Sequence, residues 1–312
     1  MNSVKSAKVV KIQNSLVAVN KQVNNFVKFL DVAPLTVRSY TSGLKQFFSY
    51  LRINEVKMLE RKNIVEFKKA LINSGKKPAT VALYLSAVKK FFTWCESEGI
   101  CSNLAAGVKA PKVDKFHKKD CLSGNQIREI MQTVNTSSLQ GLRDFAILAL
   151  VSVCGLRTIE VTRANIEDLQ LNAGRAILHI QGKGRNSKSE FVNIPEKVLA
   201  AIRLYLQARG SVKPSEPLFA SCSRRNRGGR LTTMTISTIC KRAMVRAGFI
   251  SARLTAHSLR HSAVTLALLA GLSIQEVSAF ARHSNIQTTL VYSHEVNRLQ
   301  SQCENAIASQ IF

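Results

Sequence analysis

LTAHSLRHSAVTLALLAGLSIQEVSAFARHSNIQTTLVYSH, residues 254–294, places basic side chains and a tyrosine around an apolar helical run. Four of the chain's six histidines lie in this stretch, together with the last tyrosine, Tyr292. Apolar residues at helical spacing predict one helix before Gly271 and a second, shorter helix over residues 273–281. The stretch therefore predicts a helical domain that gathers proton-carrying groups and a candidate nucleophile.

The first of these helices begins with a basic face. His257, Arg260 and His261 are three or four residues apart, which places them on one side of a helix. Positive groups at a helix N-terminus oppose the helix dipole unless an anion binds there. We therefore predict an oxyanion or phosphate site at this helix start.

The whole chain is strongly basic. Its 312 residues carry a formal net charge of +26, and the isoelectric point is near 10.2. Residues 1–115 contain 20 Lys and Arg against 7 Asp and Glu, and residues 116–312 contain 25 against 12. This excess is larger than solubility needs, and it predicts a polyanionic partner that both parts contact.

The seven cysteines include no CxxC pair, and their number is odd. They fit a reducing cytoplasm better than a disulfide scaffold or a zinc site. The longest apolar run, residues 145–156, is too short to span a bilayer, and the start lacks the apolar segment of a signal peptide. We expect a cytoplasmic protein without a membrane segment.

The length predicts two domains. Residues 17–106 keep a helical period and predict an all-helical bundle whose aromatic residues form the core. Four or five amphipathic helices are expected, with helix starts near Gln22, at a Thr36 cap, near Asn63 and at Pro78. Residues 107–121, GVKAPKVDKFHKKDC, lose this period and predict an extended basic linker.

Residues 122–312 form the second predicted domain. Ser123 is the expected cap of its first helix, and a helix that is apolar on nearly all sides ends at Gly155. Alternating residues within 175–194 predict a β-hairpin. The hairpin loop carries Lys183, Arg185 and Lys188. These side chains are solvated in one interpretation and reach into a groove in the other.

Further basic residues are candidate phosphate contacts. A basic pair on a helix is usually a solvated face, and residues 221–230, SCSRRNRGGR, form a disordered polar loop in the plainer interpretation. At this net charge we favour phosphate contacts, with the loop ordering on binding. The candidates are Lys89, Lys90, Arg185, Arg224, Arg225, Arg227, Lys241, Arg242 and Arg282.

The candidate catalytic set combines cations with a tyrosine and lacks a carboxylate cluster. Metal-dependent phosphodiester hydrolysis requires such carboxylates as ligands. Fixed cations and hydrogen-bond donors can instead neutralise the oxygens of a phosphorane. A phenol can attack phosphorus to give a covalent phosphotyrosine that keeps the bond energy for religation. The set is Arg157, Lys183, His257, Arg260, His283 and Tyr292.

Four motifs, in this order, resemble the tyrosine recombinase (phage integrase) family. They are GLRTIEV at 155–161, IQGKGRNSK at 180–188, HSLRH at 257–261 and ARHSNIQTTLVYSH at 281–294. The resemblance covers residues 20–312, and four separated motifs are far more specific than one. It implies a mainly α fold in two domains that form a C-shaped clamp around DNA. One is a helical core-binding, SAM-like bundle, and the other is a mostly helical catalytic domain with a small β-hairpin or sheet.

The resemblance also implies how the phosphate is held. Arg157 and Arg260 would clamp the scissile phosphate, and His257 and His283 would stabilise or protonate it. Glu160 would support Arg157. Without the resemblance, an ion pair with Glu160 is the plainer explanation for an arginine at the end of a buried helix.

For the reaction, the resemblance implies Lys183 as general acid to the leaving 5′-hydroxyl and Tyr292 as the nucleophile, giving a 3′-phosphotyrosyl link. Arg185 or Lys188 could stand in for Lys183. No metal, ATP or other cofactor is implied, because transesterification conserves the bond energy.

Arg282 departs from the family pattern, which usually has glycine before this histidine. The arginine puts in question the local backbone conformation and the presentation of His283. An additional phosphate contact is its alternative use.

The implied partner is a duplex DNA recombination site in a bacterial nucleoid. A homotetramer on two sites is expected, assembled through an amphipathic tail helix over residues 297–312; packing of the tail on its own domain is the alternative. The family also allows accessory DNA-bending or directionality proteins. Few residues precede the first helix, so we expect a simple recombinase without an arm-binding domain.

Two other functions stay open at this point. A type IB topoisomerase uses a similar residue set as a monomer and relaxes supercoils without sequence dependence. A non-enzymatic DNA-binding protein on a degenerate scaffold would form no covalent adduct, although all the expected catalytic residue types are present. For a recombinase, integration, excision, inversion and dimer resolution are all compatible with the motifs.

Overall fold

The structure is a computed structural model that describes residues 10–11, 16–113, 120–182 and 184–312. The chain divides into two compact units, Met1–Lys115 and Phe116–Phe312. The division falls inside the segment for which we predicted a linker. Lys183, the predicted general acid, lies outside the described residues.

The first unit is a helical bundle. Its described helices are α1 (Leu16–Phe29), α2 (Pro34–Ile53), α3 (Arg61–Asn73) and α4 (Pro78–Ser97), and two-residue strands β1 (Val10–Lys11) and β2 (Met58–Leu59) pair antiparallel. The predicted cap at Thr36 was wrong, because α2 begins two residues earlier at Pro34, with Ala33 as its N-cap. Proline suits the first helical position, where no N–H is needed.

Aromatic side chains fill the core of this bundle, as the helical period predicted. The ring of Phe47 packs against Phe67 and Phe92 with centroids 5.1 and 6.2 Å apart, and Phe26 packs edge-on against Phe91 at 5.5 Å. These edge-to-face contacts add to the burial of large apolar surfaces. These aromatic rings therefore pack in the core of the bundle.

The second unit is mostly helical with one small sheet. Its helices are α5 (Gly124–Gln132), α6 (Leu139–Val153), α7 (Thr158–Arg163), α8 (Glu196–Arg209), α9 (Thr233–Arg246), α10 (Ala256–Leu269), α11 (Ile274–Ala281), α12 (Gln287–Gln300) and α13 (Cys303–Ile311). Its strands are β3 (Leu169–Asn172), β4 (Arg175–Ile180) and β5 (Glu190–Asn193). Ser123 caps α5 by accepting a hydrogen bond from the Gln126 N–H, as predicted.

Helix α6 forms the centre of the second unit. Its residues from Ala146 to Val151 are all buried, and the helix packs against α8 and α10. It ends at Val153, and Gly155, two residues later, has a φ of 60° in the left-handed region that glycine adopts without steric cost. This turn directs the chain into Arg157, the N-cap of α7.

The sheet has the order β3-β4-β5, and all its pairs are antiparallel. The predicted hairpin is β4 with β5, in a register that sets Leu178 opposite Val192. Strand β3 was not predicted, because it has only four residues and its Leu171 is exposed. The loop between β4 and β5 carries the basic residues singled out from the sequence.

Two further observations concern the end of the chain and the membrane. The predicted tail helix over residues 297–312 is divided, since α12 ends at Gln300 and α13 begins at Cys303. Within the described part of the chain, no helix combines the length and the apolar composition that crossing a bilayer requires.

Gly141 provides a test of the packing at the start of α6. A Cβ added at Gly141 would lie 1.7 Å from the carbonyl oxygen of Asn135, whereas one added at Gly124 would meet nothing within 4 Å. We expect Gly141→Ala to lower the free energy of unfolding by about 1–3 kcal/mol, because backbone must move to relieve the overlap. Urea denaturation followed by circular dichroism measures this. Gly124→Ala is the matched control, and equal midpoints for the two variants would contradict the packing described.

Candidate active site

Three arginines converge on the C-terminal end of α11. Arg282 Nη1 donates to the Phe280 carbonyl at 2.7 Å, and Arg157 Nη2 donates to the Arg282 carbonyl at 3.1 Å. The guanidinium of Arg260 donates to the carbonyls of Ala281 and Gly155. The last carbonyls of a helix have no partner within the helix and carry its negative dipole end, so they suit cations. The end of α11 thus holds three positive charges together.

A single buried carboxylate, Glu160, faces this group. It accepts from Arg157 Nη1 at 2.8 Å through Oε1, and from Arg282 Nη2 at 3.0 Å and the Arg157 backbone N–H at 2.8 Å through Oε2. Burial alone would raise the pKa of Glu160, but the charge of Arg282 and the hydrogen bonds and charge of Arg157 lower it below the ordinary value. Glu160 is therefore ionised and shared between two arginines.

Arg260 is the least compensated cation of the three. Its residue is only 3% exposed. Burial, followed by repulsion from Arg157 and Arg282, lowers the pKa of Arg260 to about 9, against smaller opposing effects of Glu160 and Tyr292. It stays protonated at neutral pH, so an anion placed beside it would supply the missing compensation. This agrees with the phosphate site predicted at the start of α10.

Tyr292 packs between two histidines. It lies on α12 and is 4% exposed, with its ring centroid 4.3 Å from that of His261 and 6.2 Å from that of His283. His283 is oriented by Thr289, whose hydroxyl is 2.9 Å from Nδ1. His257 is exposed at the start of α10, 6.1 Å from the ring of His261. The structure thus brings residues from three separated motifs to one place.

A groove of about 650 Å³ borders this cluster. It is lined by Arg157, Arg282 and His283, and on the hairpin side by Gly182 and Arg185. The loop is fixed by Arg163, which donates to the Gly182 carbonyl at 3.1 Å. Arg163 thus anchors the hairpin loop at Gly182, where the described part of the loop stops.

The two residues considered as substitutes for Lys183 differ in their surroundings. Lys188 forms an ion pair with Asp168 at 2.5 Å, so its ammonium group is already engaged. Arg185 is 3.8 Å from Glu190, and its side chain is 60% exposed on the groove. Of the two, Arg185 is the one whose side chain is largely exposed and lines the groove.

The residues that we predicted to contact DNA differ in their exposure to solvent. The loop of Arg224, Arg225 and Arg227 is exposed but forms a defined turn in the free protein, since backbone hydrogen bonds join Ser221 to Gly228 and Gly229. Lys90 and Arg242 are also exposed, and Lys89 is half-buried.

Two predicted DNA contacts have inward-pointing donors. Lys241 donates to the carbonyls of Ser251 at 2.6 Å and Leu254 at 3.1 Å. The Arg282 side chain is 6% exposed and bonded as described above, whereas we predicted a contact with DNA. In the free protein both side chains hold backbone segments of the second unit together.

Sequence reasoning left two neighbours of the reactive groups out of the candidate set. His261 belongs to the HSLRH motif and was recognised as part of the basic helix face, but its ring contact with Tyr292 is a tertiary feature. Thr289 carried no signal, because its role depends on the turn that brings α12 back beside His283. Within the described ranges, no group of three or more His, Cys, Asp or Glu side chains is arranged to hold a metal ion.

Fold and site together define a chain in which a tyrosine lies among fixed cations on a helical domain. The Phage integrase family matches residues 120–298, and the phage integrase N-terminal SAM-like domain matches residues 23–99. The first match alone spans more than half of the chain. The chain therefore belongs to the phage integrase family of tyrosine-type site-specific recombinases.

Named relatives agree with this membership. A tyrosine recombinase of Synechocystis sp. is 28% identical over 291 residues, which are 88% of this chain and 91% of the relative. Tyrosine recombinase XerD of Listeria innocua is 27% identical over 285 residues, covering 88% of this chain and 94% of the relative.

Solved structures share the fold. XerH recombinase bound to palindromic difH substrate, in a post-cleavage complex, matches with a TM-score of 0.72 at 19% identity, over 92% of this chain and 84% of that chain. A lambda integrase dimer bound to a COC′ core site matches with a TM-score of 0.68 at 19% identity, over 86% and 96%. The mainly helical fold with a SAM-like first domain is thereby confirmed.

The shared carboxylate predicts a pH dependence of stability. Because the folded state lowers the pKa of Glu160, its ionised form stabilises the fold fully above the ordinary value of 4.5, and this contribution is lost as pH falls through the lowered pKa. At pH 7 we expect Glu160→Gln to cost about 3–5 kcal/mol, since two buried guanidinium groups lose their counter-charge. Urea midpoints measured between pH 7 and pH 3 should show the difference from wild type shrinking below the ordinary carboxylate range.

Glu196→Gln is the control for this experiment. Glu196 pairs with Arg203 at 3.6 Å on the surface, with side chains 78% and 57% exposed. An exposed pair of this kind contributes about 0–1 kcal/mol. A Glu160→Gln variant that resembled this control at every pH would contradict the shared buried ion pair.

Proposed function

We propose that this recombinase cuts and rejoins DNA strands through Tyr292, without metal or nucleotide. Tyr292 gives up its phenol proton to a neighbouring imidazole, and its oxygen attacks the scissile phosphorus to form a phosphotyrosyl bond to the 3′ side of the break. The bond from phosphorus to the 5′ oxygen breaks, and the departing 5′-hydroxyl receives its proton from Lys183. Attack by a 5′-hydroxyl of another strand reverses these steps and releases Tyr292.

The observation that carries this proposal is the position of Tyr292 beside His261 and His283, within electrostatic reach of Arg260. In the proposal, Arg157 and Arg260 bind the non-bridging phosphate oxygens, whose charge grows in the transition state. His257 and His283 donate hydrogen bonds to the same group. Glu160 keeps Arg157 in place and is not itself a reacting group.

Tyr292→Phe tests the nucleophile. Target duplexes are first enriched by binding from a library of random sequences, using Tyr292→Phe, which keeps the ring and loses only the oxygen. Wild type incubated with nicked forms of these duplexes should give a covalent protein–DNA adduct that survives denaturing electrophoresis. Tyr292→Phe should give none, because the oxygen that attacks phosphorus is missing from the phenylalanine ring.

Tyr205→Phe is the matched control. Tyr205 is also a buried tyrosine of the second unit, and its hydroxyl accepts a hydrogen bond from the Ala220 N–H at 3.0 Å. Its loss costs stability but leaves the adduct. An adduct formed by Tyr292→Phe would refute the assignment, and relaxation of supercoiled plasmids that lack the enriched sequence would favour a type IB topoisomerase.

The proposed substrate is duplex DNA contacted by both units, since each carries an excess of 13 positive charges. Exposed Lys90, Arg185 and Arg242, with the arginines of residues 224–227, are suited to phosphate contacts. Lys89 joins them, and the inward-bonded Lys241 would need to change partners. Binding should weaken steeply with salt, as counterion release requires.

We also propose that four copies assemble on two DNA sites in the bacterial cytoplasm. A lambda integrase has been solved as a tetramer on a Holliday junction. In this chain, α13 exposes Ile307 and Ile311, and Phe312 directly after the helix is also exposed. Apolar side chains grouped in this way favour a protein partner. The proposed partner is the second unit of a neighbouring copy.

Substitutions in α13 test this assembly. Ile307→Ser combined with Ile311→Ser should lower the number of protein copies bound to two duplexes from four to two or fewer, as measured by analytical ultracentrifugation. Leu171→Ser is the control, because Leu171 is equally exposed but lies on the sheet. Tetramers that persist in the double variant would exclude α13 as the connecting element.

A further inference from the structure

The backbone of Arg282 has a conformation that side chains disfavour. Its φ of 51° and ψ of 48° lie in the left-handed region, at the C-cap of α11. Glycine adopts this conformation freely, whereas a Cβ there approaches the following carbonyl. An arginine at this position is therefore strained locally, and contacts of its side chain must offset the strain.

Those contacts are directed into the second unit. Arg282 Nη2 donates to the Gly155 carbonyl and to Glu160 Oε2, each at 3.0 Å, and Nη1 donates to the Phe280 carbonyl at 2.7 Å. The Arg282 and Glu160 side chains of this ion pair are 6% and 0% exposed. Charged groups buried to this degree interact strongly, since little water screens them.

Arg157 is connected to Arg282 by two routes. Its Nη2 donates to the Arg282 carbonyl at 3.1 Å, and its Nη1 donates to Glu160 Oε1 at 2.8 Å, on the carboxylate that Arg282 also binds. One negative charge is thus divided between two guanidinium groups. Arg157 and Arg282 both line the groove, and the Arg157 side chain, at 27% exposed against 6% for Arg282, is the more accessible of the two.

We propose that Arg282 is a positioning residue for strand transfer: it shares the Glu160 carboxylate, so that Arg157 meets the scissile phosphate with its positive charge largely uncompensated. Without Arg282, Glu160 would pair with Arg157 alone and cancel its charge. The inference rests on the proposed function, because it requires a phosphate in front of Arg157.

The test compares Arg282→Gly with wild type on the enriched nicked duplexes. Glycine relieves the backbone strain and removes only the side-chain contacts. We expect the rate of adduct formation at saturating duplex to fall about 10–100-fold, as for other residues that orient a catalytic group. The dissociation constant of the duplex should change less than about 3-fold. Arg282→Lys, which keeps the charge, should recover part of the rate.

A neutral substrate separates this role from a merely structural one. In a duplex whose scissile phosphate carries a methyl group in place of one non-bridging oxygen, no negative charge awaits Arg157. The loss caused by Arg282→Gly should then shrink several-fold. An equal loss on the charged and neutral duplexes would overturn the inference, because it would indicate only a disturbed fold.

Ala173→Gly is the matched control for the backbone. Ala173 also has a left-handed conformation, with φ of 47°, but lies in the exposed turn between β3 and β4. Its substitution should leave the rate unchanged. If wild type forms an adduct and Arg282→Gly forms it equally fast, this inference alone fails; if wild type forms no adduct on any enriched duplex, the proposed function fails with it.

Discussion

The second unit depends on one arrangement, in which the last carbonyls of a short helix bind three arginines. Phe280, Ala281 and Arg282 supply these carbonyls, and Arg282, Arg260 and Arg157 respectively supply the donors. Each guanidinium group would otherwise be costly to bury, since water could not solvate it. The helix end replaces that water with fixed dipoles. It therefore brings three distant segments of the chain to one place and holds three like charges within a small volume.

This arrangement places more positive than negative charge in the arginine cluster. Glu160 is the carboxylate that the structure shows within the arginine cluster, and two of the three arginines share it. Mutual repulsion and burial make the remaining positive charge unfavourable, which is visible in the lowered pKa of Arg260. In the proposed mechanism, a phosphate in the adjoining groove would relieve this repulsion, most of all when its charge is greatest. The same excess of positive charge would then favour the charged transition state of the proposed phosphoryl transfer.

The sequence predicted what depends on local pattern. The helical period predicted the helices, and the residue type of Ser123 predicted a helix cap. The alternation within residues 175–194 predicted the hairpin. These features could be predicted because they depend only on residues that are neighbours in the sequence. The motifs gave the arginines, histidines and Tyr292 as a set. Strand β3 and the ring contact of His261 with Tyr292 were missed, since both arise from packing between distant segments. The inward direction of Arg282 was missed for the same reason: an exposed and a buried arginine look alike in a sequence.

Arg282 shows how a local rule can be broken when a tertiary contact outweighs it. A left-handed conformation costs a residue other than glycine about 1–2 kcal/mol. Removing one partner of a buried ion pair costs about 3–5 kcal/mol, because the other charge is left without compensation. The free energy at stake in the ion pair is larger than the cost of the left-handed conformation. The arginine is therefore stable in a backbone conformation that residues other than glycine disfavour. A glycine here would relax the turn, yet it would leave Glu160 to Arg157 alone. Under the proposed function, the residue at this turn therefore sets the charge that Arg157 presents to DNA.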